Sequence, residues 1–227
     1  MTPSPSFWPQ GTVYGTLLNS RAELLAWATQ ASQAPYKAPP RAPVLYIKTA
    51  NTWSQNGSRI DVPAHVPEVE IGASVAMVIG APQFGTHGGP ATPGVAGFVL
   101  VNDLCVPHTS FFRPPVKTKC LDGFLGLGPT CVSPHDAGDP GRFILEVRID
   151  DALRQTVDFS DAVRDASTLL SDVSAFMTLR PGDLLMLGCG AGRPLATAGQ
   201  RIDIRAAGRP AFGVLSNTLA AQLAEAA

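Results

Sequence analysis

Between Gly97 and Pro129 the chain reads GFVLVNDLCVPHTSFFRPPVKTKCLDGFLGLGP, which opens as a strand and closes in a Gly-rich turn. In between lie Asp103, Arg113, Lys119 and Asp122, in a segment with neither a helical nor a strand period. An apolar run that breaks at Asn102-Asp103 puts a carboxylate at the mouth of a sheet, and the cations that follow fall on irregular backbone. Loops held by a rigid scaffold are where chemistry is commonly placed. A long surface loop whose charges are only solvated fits the same spacing.

Further candidates flank this stretch. Glu68-Val69-Glu70 places two carboxylates at i and i+2, hence on one face of a strand, as a shared cation would require. Lys48 ends a short apolar strand and either faces a site or ends an edge strand in water. Gly188-Cys189-Gly190-Ala191-Gly192 reads as a tight turn between strands. Cys105, Cys120, Cys131 and Cys189 form no C-x-x-C pair and no zinc-like spacing, so reduced, unligated thiols are expected. Three of them, Cys105, Cys120 and Cys189, fall within the candidate site segments. His87, among glycines, reads as solvated.

The elements that must position these groups follow from pattern. A strand is expected over Gly11 to Leu18. Ser20 and Glu23 then have the spacing of a capping box, opening a helix through about Gln33 with Leu24, Trp27, Ala28 and Ala31 on one face. Short strands are expected at 44–48 and 59–63, a buried strand at 75–80, irregular turns over 81–93, and a strand at 95–101 that delivers Asp103. Further strands are expected at 130–132, 142–149 and 153–158, with Asp150-Asp151 as the hairpin turn. Ser160 caps a second helix through about Leu179, and strands at 184–187, 200–206 and 212–216 precede an Ala-rich tail that reads as a short helix.

The order of motifs resembles the fumarylacetoacetate hydrolase superfamily. The resemblance is carried by Asn102-Asp103-Leu104, Phe112-Arg113-Pro114, Lys119-Cys120-Leu121-Asp122-Gly123-Phe124 and Gly128-Pro129, with Tyr46-Ile47-Lys48-Thr49-Ala50-Asn51-Thr52 upstream. It spans roughly Gly11 to Asn217, and Arg-Pro followed by Lys-x-x-Asp most resembles the isomerase/decarboxylase branch of 4-hydroxyphenylacetate (homoprotocatechuate) degradation. It implies a mixed β (α+β) fold, a β-sandwich or rolled barrel with a few peripheral helices, usually dimeric. The chemistry it implies acts on 2-oxo or 2-hydroxydienoate diacids through an enolate: decarboxylation of 5-oxopent-3-ene-1,2,5-tricarboxylate and isomerisation of 2-hydroxyhepta-2,4-diene-1,7-dioate.

On the resemblance, Lys119 stabilises the enolate or moves a proton, Arg113 grips a substrate carboxylate, and Lys48, Asp122, Cys189 and Gly190 line the substrate, with Asp122 positioning Lys119 or capping a turn. Metal-binding members carry Mg2+ or Mn2+ on a Glu-x-Glu and an Asp. Here the Glu positions, counted back from Gly80, hold Gly72 and Ser74, so Asp103 survives alone and metal binding is expected to be weak or absent. Glu68 and Glu70 lie four residues too early and read as surface carboxylates. Glu23 stands where catalytic members have a His that moves protons, which counts against an acylpyruvate hydrolase. The expected partner is another copy or a Glu-bearing homologous subunit, in which case this chain either catalyses in its own right or supports that subunit.

Composition bounds the rest. With 227 residues, one domain over 11–220 is expected behind a disordered tail at 1–10. Seventeen basic against 18 acidic residues offer nothing to nucleic acid or an anionic membrane surface. The 45% apolar content is too high for disorder, while 22 Gly and 21 Pro suit a turn-rich β architecture. No apolar run approaches the ~20 residues that span a bilayer, and the first ten residues lack a signal peptide's pattern, so a cytoplasmic protein is expected.

Overall fold

The computed structural model describes residues 6–83, 92–110, 112 and 114–222. The strands are β1 (Val13–Leu17), β2 (Val44–Lys48), β3 (Trp53–Ser54), β4 (Arg59–Val62), β5 (Val69–Glu70), β6 (Ala73–Gln83), β7 (Thr92–Asp103), β8 (Leu125–Leu127), β9 (Ile144–Ile149), β10 (Ala152–Asp158), β11 (Leu184–Met186), β12 (Leu195–Ala196), β13 (Arg201–Ala206) and β14 (Val214–Ala221). The α-helices are α1 (Arg21–Ala31), α2 (Val116–Lys119), α3 (Pro134–Ala137) and α4 (Ala166–Ser174).

A seven-stranded sheet runs β2-β1-β11-β6-β7-β8-β3 and a five-stranded sheet β10-β9-β13-β14-β4, with a two-stranded β12-β5 ribbon. This is the mixed β architecture with peripheral helices that the resemblance implied. Val75, Met77 and Ile79 of β6 and Phe98 and Leu100 of β7 pack on Leu145, Val147, Ile202, Ile204, Leu215 and Leu219 of the smaller sheet. The alternate residues Ala76, Val78, Val99 and Val101 join Trp27 and Ala31 of α1 on the opposite face. Both faces of β6 and β7 are therefore buried, which is why 75–79 reads as one unbroken apolar run.

Several boundaries differ from the sequence reading, each for a local reason. The second helix starts at Ala166, capped by Asp165, and ends at Ser174 rather than spanning 160–179. Asn19 takes the backbone of the intervening residues: its carbonyl accepts from Val163 N at 2.8 Å and its Oδ1 from Arg164 N at 3.0 Å, holding them out of the helix. The Ala-rich end is a strand through Ala221, paired in parallel with β4, and residues 223–227 lie outside the described set. Strand pairing outweighs the helix propensity of alanine there. Of the expected 81–93 turn, β6 and β7 claim both ends; 84–91, including His87, is outside the described residues. Residues 6–10 of the expected tail are docked, with Phe7 N donating to Pro129 O and the Trp8 ring edge-on to Trp53. The Asp150-Asp151 turn is as expected, with both φ angles positive.

Candidate active site

Asp103 ends β7, where its backbone N–H donates to Gly72 O at 2.8 Å and extends the β6–β7 ladder by one rung. Its side chain is buried against two ammonium groups. Lys119 Nζ lies 2.6 Å from Oδ2 and Lys48 Nζ 2.8 Å from Oδ1. Tyr46 and Lys48 stand at i and i+2 on β2 and so share a face. The Tyr46 hydroxyl donates to Asp103 Oδ2, and Lys119 Nζ lies 4.7 Å from the centroid of the Tyr46 ring. Gly15 lies opposite Tyr46 on β1, where a Cβ would fall inside the ring's space; only glycine lets the ring lie flat across that strand.

The two lysines are used differently. Lys48 Nζ donates to the carbonyls of Leu104 (3.1 Å), Lys119 (2.5 Å) and Phe124 (2.7 Å), which accounts for all three N–H groups of an ammonium. Asp103 Oδ1 accordingly faces the Lys48 charge without a hydrogen bond. Lys48 bolts β2 to the loop that carries Lys119. Burial lowers its pKa, which Asp103 only partly offsets, but four surrounding oxygens demand more N–H groups than a neutral amine has. The Nζ of Lys119, the last residue of α2, makes one hydrogen bond, to Asp103, among the described residues. Burial would lower its pKa, yet Asp103 outweighs burial and holds the ammonium above its ordinary range. Burial likewise works against the Asp103 carboxylate, and Lys119 and Lys48 together overcome it, leaving Asp103 well below the usual carboxylate range.

A second ionic group lies next to this centre. Arg193, just past the Gly-rich turn, sets Nη2 3.5 Å from Glu23 Oε1 and Nε 3.4 Å from Glu70 Oε2. These side chains keep 12–19% of their surface exposed, whereas Asp103 and Lys119 keep none. Burial raises Glu23, with Arg193 pulling the other way. Burial also pushes the Cys189 thiol up to about 12, and its Sγ lies 4.0 Å from Asp103 Oδ2.

Several expectations are corrected. Asp122 is exposed and accepts from Asn51 Nδ2 at 2.6 Å, so of its two expected roles it is the turn that it ties, and it does not position Lys119. Gly190 packs against Val157, and with Cys189 and Asn19 it borders a cavity of about 20 Å³, room for one water. Ser20 Oγ does accept from Glu23 N at 3.1 Å, but the Glu23 carboxylate turns to Arg193 and leaves the capping box half made. Glu68 is exposed as expected; Glu70 is not a surface carboxylate, because Arg193 meets it. Arg113 lies outside the described residues. Sequence reasoning missed Arg193 and Tyr46. The available signals were a lone cation after the glycine cluster and an aromatic two residues before Lys48.

Comparison with known proteins fits this fold. The family profile described as fumarylacetoacetate (FAA) hydrolase C-terminal matches residues 12–220. The chain belongs to the fumarylacetoacetate hydrolase family. It is 37% identical over 203 residues, 89% of its length, to a 4-hydroxyphenylacetate degradation bifunctional isomerase/decarboxylase of Salmonella dublin, covering 46% of that protein. The Escherichia coli protein of the same description is 35% identical over 88% of this chain and is also covered to 46%. The chain thus spans about half the length of these relatives. Among solved folds, fumarylpyruvate hydrolase from Pseudomonas aeruginosa in complex with Mn2+ and pyruvate superposes with a TM-score of 0.75 at 18% identity, covering 98% of this chain and 94% of that one. The 2-hydroxyhepta-2,4-diene-1,7-dioate isomerase from Mycobacterium marinum gives 0.72 at 21% identity, covering 96% of this chain and 77% of that one. Among the described residues, no helix is long and apolar enough to cross a membrane.

A divalent cation of the kind that the Pseudomonas aeruginosa relative holds does not fit the residues here. At Gly72 a Cβ would come within 2.5 Å of Asp103 O and 2.9 Å of Cys189 Sγ, so the backbone has closed over the space a side chain would need. Ser74 Oγ is committed to Gly188 O at 2.6 Å. Two carboxylate oxygens, Asp103 Oδ1 and Glu70 Oε2, are buried without a hydrogen bond, but each already faces a cation, Lys48 or Arg193. A metal at Asp103 would have to displace a buried ammonium, leaving two like charges in contact.

Proposed function

We propose that the chain is one half of a two-part isomerase/decarboxylase acting on 2-oxo or 2-hydroxydienoate diacids in 4-hydroxyphenylacetate degradation. In this reading it works without a divalent cation, and any metal-requiring step belongs to a homologous, Glu-bearing half. The observation that carries the reading is the Asp103 carboxylate gripped by Lys48 and Lys119, on a chain that matches half of each relative. The bonds broken and formed in decarboxylation and dienol isomerisation both leave negative charge on a conjugated enolate. A fixed ammonium with N–H groups to spare lowers the energy of such a charge by preorganised electrostatics. Lys119 fills that role, Asp103 and Tyr46 hold it in place, and Lys48 fixes the loop around it.

Complete burial of Lys119 favours a second reading, in which the chain supports a catalytic partner and turns over nothing itself. The two are separated by assaying both reactions with the chain alone in EDTA and again with a Glu-bearing homologue. Turnover alone in EDTA, lost in Lys119→Met, supports a catalytic half. Turnover only with the partner, and indifferent to Lys119→Met, supports the second reading. Cleavage of acylpyruvates by the chain alone would refute both; Glu23, held on Arg193, is not arranged to activate water for it.

A further inference from the structure

The Arg193 guanidinium is held along one edge only. Glu70 faces Nε and Glu23 faces Nη2, at 3.4 and 3.5 Å, well outside the ~2.7–2.9 Å of a charge-assisted hydrogen bond. Among the described residues Nη1 has neither a hydrogen bond nor an ion pair. An arginine steadied by two acids on one side keeps its charge and its orientation, and offers the other side as a planar fork matched to a carboxylate. Its neighbour supplies a second point. Lys119 is fully buried, uses one N–H on Asp103, and is close enough to Arg193 for the two cations to repel. The two groups of charges balance: Lys48, Lys119 and Arg193 against Asp103, Glu23 and Glu70. No net negative charge therefore turns an anion away, and of the three cations Arg193 is the one that keeps exposed surface.

We propose that Arg193 is a carboxylate-binding residue of this site, taking one carboxylate of a diacid on its Nη1 side while Glu23 and Glu70 hold the Nε side. The ligand class rests on the functional reading above; the role of Arg193 does not require turnover. The test is calorimetric titration of the full chain with 2-oxoadipate, a stable 2-oxo diacid, alongside succinate. Arg193→Met is expected to weaken 2-oxoadipate at least tenfold, and Arg193→Lys to recover part of that loss. Because Arg193→Met leaves two carboxylates unpaired, the triple variant Arg193→Met, Glu23→Gln, Glu70→Gln is titrated beside it and is expected to show the same loss while keeping the wild-type melting temperature more closely. Binding within threefold of wild type in either variant overturns the inference, as does the absence of saturable binding to the wild-type chain. Arg193-dependent binding in a protein that never turns over either pathway substrate, alone or with a partner, would leave the inference standing and remove the functional reading. Succinate bound as tightly as 2-oxoadipate through Arg193 supports the residue's role and narrows the recognised group to the carboxylate.

Discussion

Replacing Lys119 with methionine removes one charge from a buried three-charge centre while keeping most of the side chain's volume. Asp103 Oδ2 then loses an ammonium at 2.6 Å and keeps the Tyr46 hydroxyl, while Oδ1 keeps Lys48. Breaking a buried ion pair by removing one partner costs about 3–5 kcal/mol, and because Lys48 remains the loss belongs near 3. For a domain of this size that is a fall in Tm of roughly 6–12 °C. The pH dependence has a definite sign. Asp103 is held below its ordinary range, so its stabilisation is present above the unfolded carboxylate value of about 3.9 and is lost as pH falls below it. The gap between wild type and Lys119→Met should be widest near neutrality and begin to narrow as pH falls toward 3. Thermal denaturation followed by circular dichroism, from pH 7 down to pH 3, measures it. Adding Asp103→Asn to Lys119→Met should lower stability further, because the fully buried Lys48 ammonium then loses the carboxylate 2.8 Å away and is left with carbonyl partners only. A single variant within about 2 °C of wild type, or a double variant restored to the wild-type Tm, would refute this account of the centre.

Gly72→Ala should destabilise by about 1–3 kcal/mol in urea unfolding, since its Cβ meets backbone and a buried thiol. Addition of Mn2+ or EDTA should leave the wild-type Tm unchanged, because binding to the native state alone would raise it. Cys189, with its pKa at about 12, should resist alkylation at pH 8 in the native protein and react once unfolded, as mass spectrometry of the labelled peptides would show. Asn19→Ala should cost about 1–3 kcal/mol, because the Asn19 amide bridges Leu187 O to the backbone N–H and carbonyl of Arg164.

The strand framework was legible because both faces of β6 and β7 are apolar and because the turn residues carry their own signals. Asp103 and Lys119 were legible as a motif, and their pairing follows once β7 and α2 are placed. What was not legible depends on contacts between distant segments. Glu23 and Glu70 read as a cap and a surface acid because Arg193, which meets both, lies more than a hundred residues further on. The late start of α4 is set by Asn19, equally far off in sequence. The Ala-rich end became a strand because β4 offers it an edge. Local propensity is a weak prior wherever a tertiary partner supplies the hydrogen bonds.

β11 is three residues long, yet it bridges β1 and β6 in the larger sheet. Among the described residues, the antiparallel pair of β1 and β2, with Tyr46 and Lys48, is joined to β6 by strand pairing through residues 184–186. During synthesis the ribosome must release the chain past Met186 before β11 can pair and Tyr46 and Lys48 can be stitched in beside Asp103. Closing so long a loop is slow. A fragment cut between Lys119 and Leu184 would carry both lysines and the aspartate in its sequence but lack the strand that seats β1 and β2 beside β6.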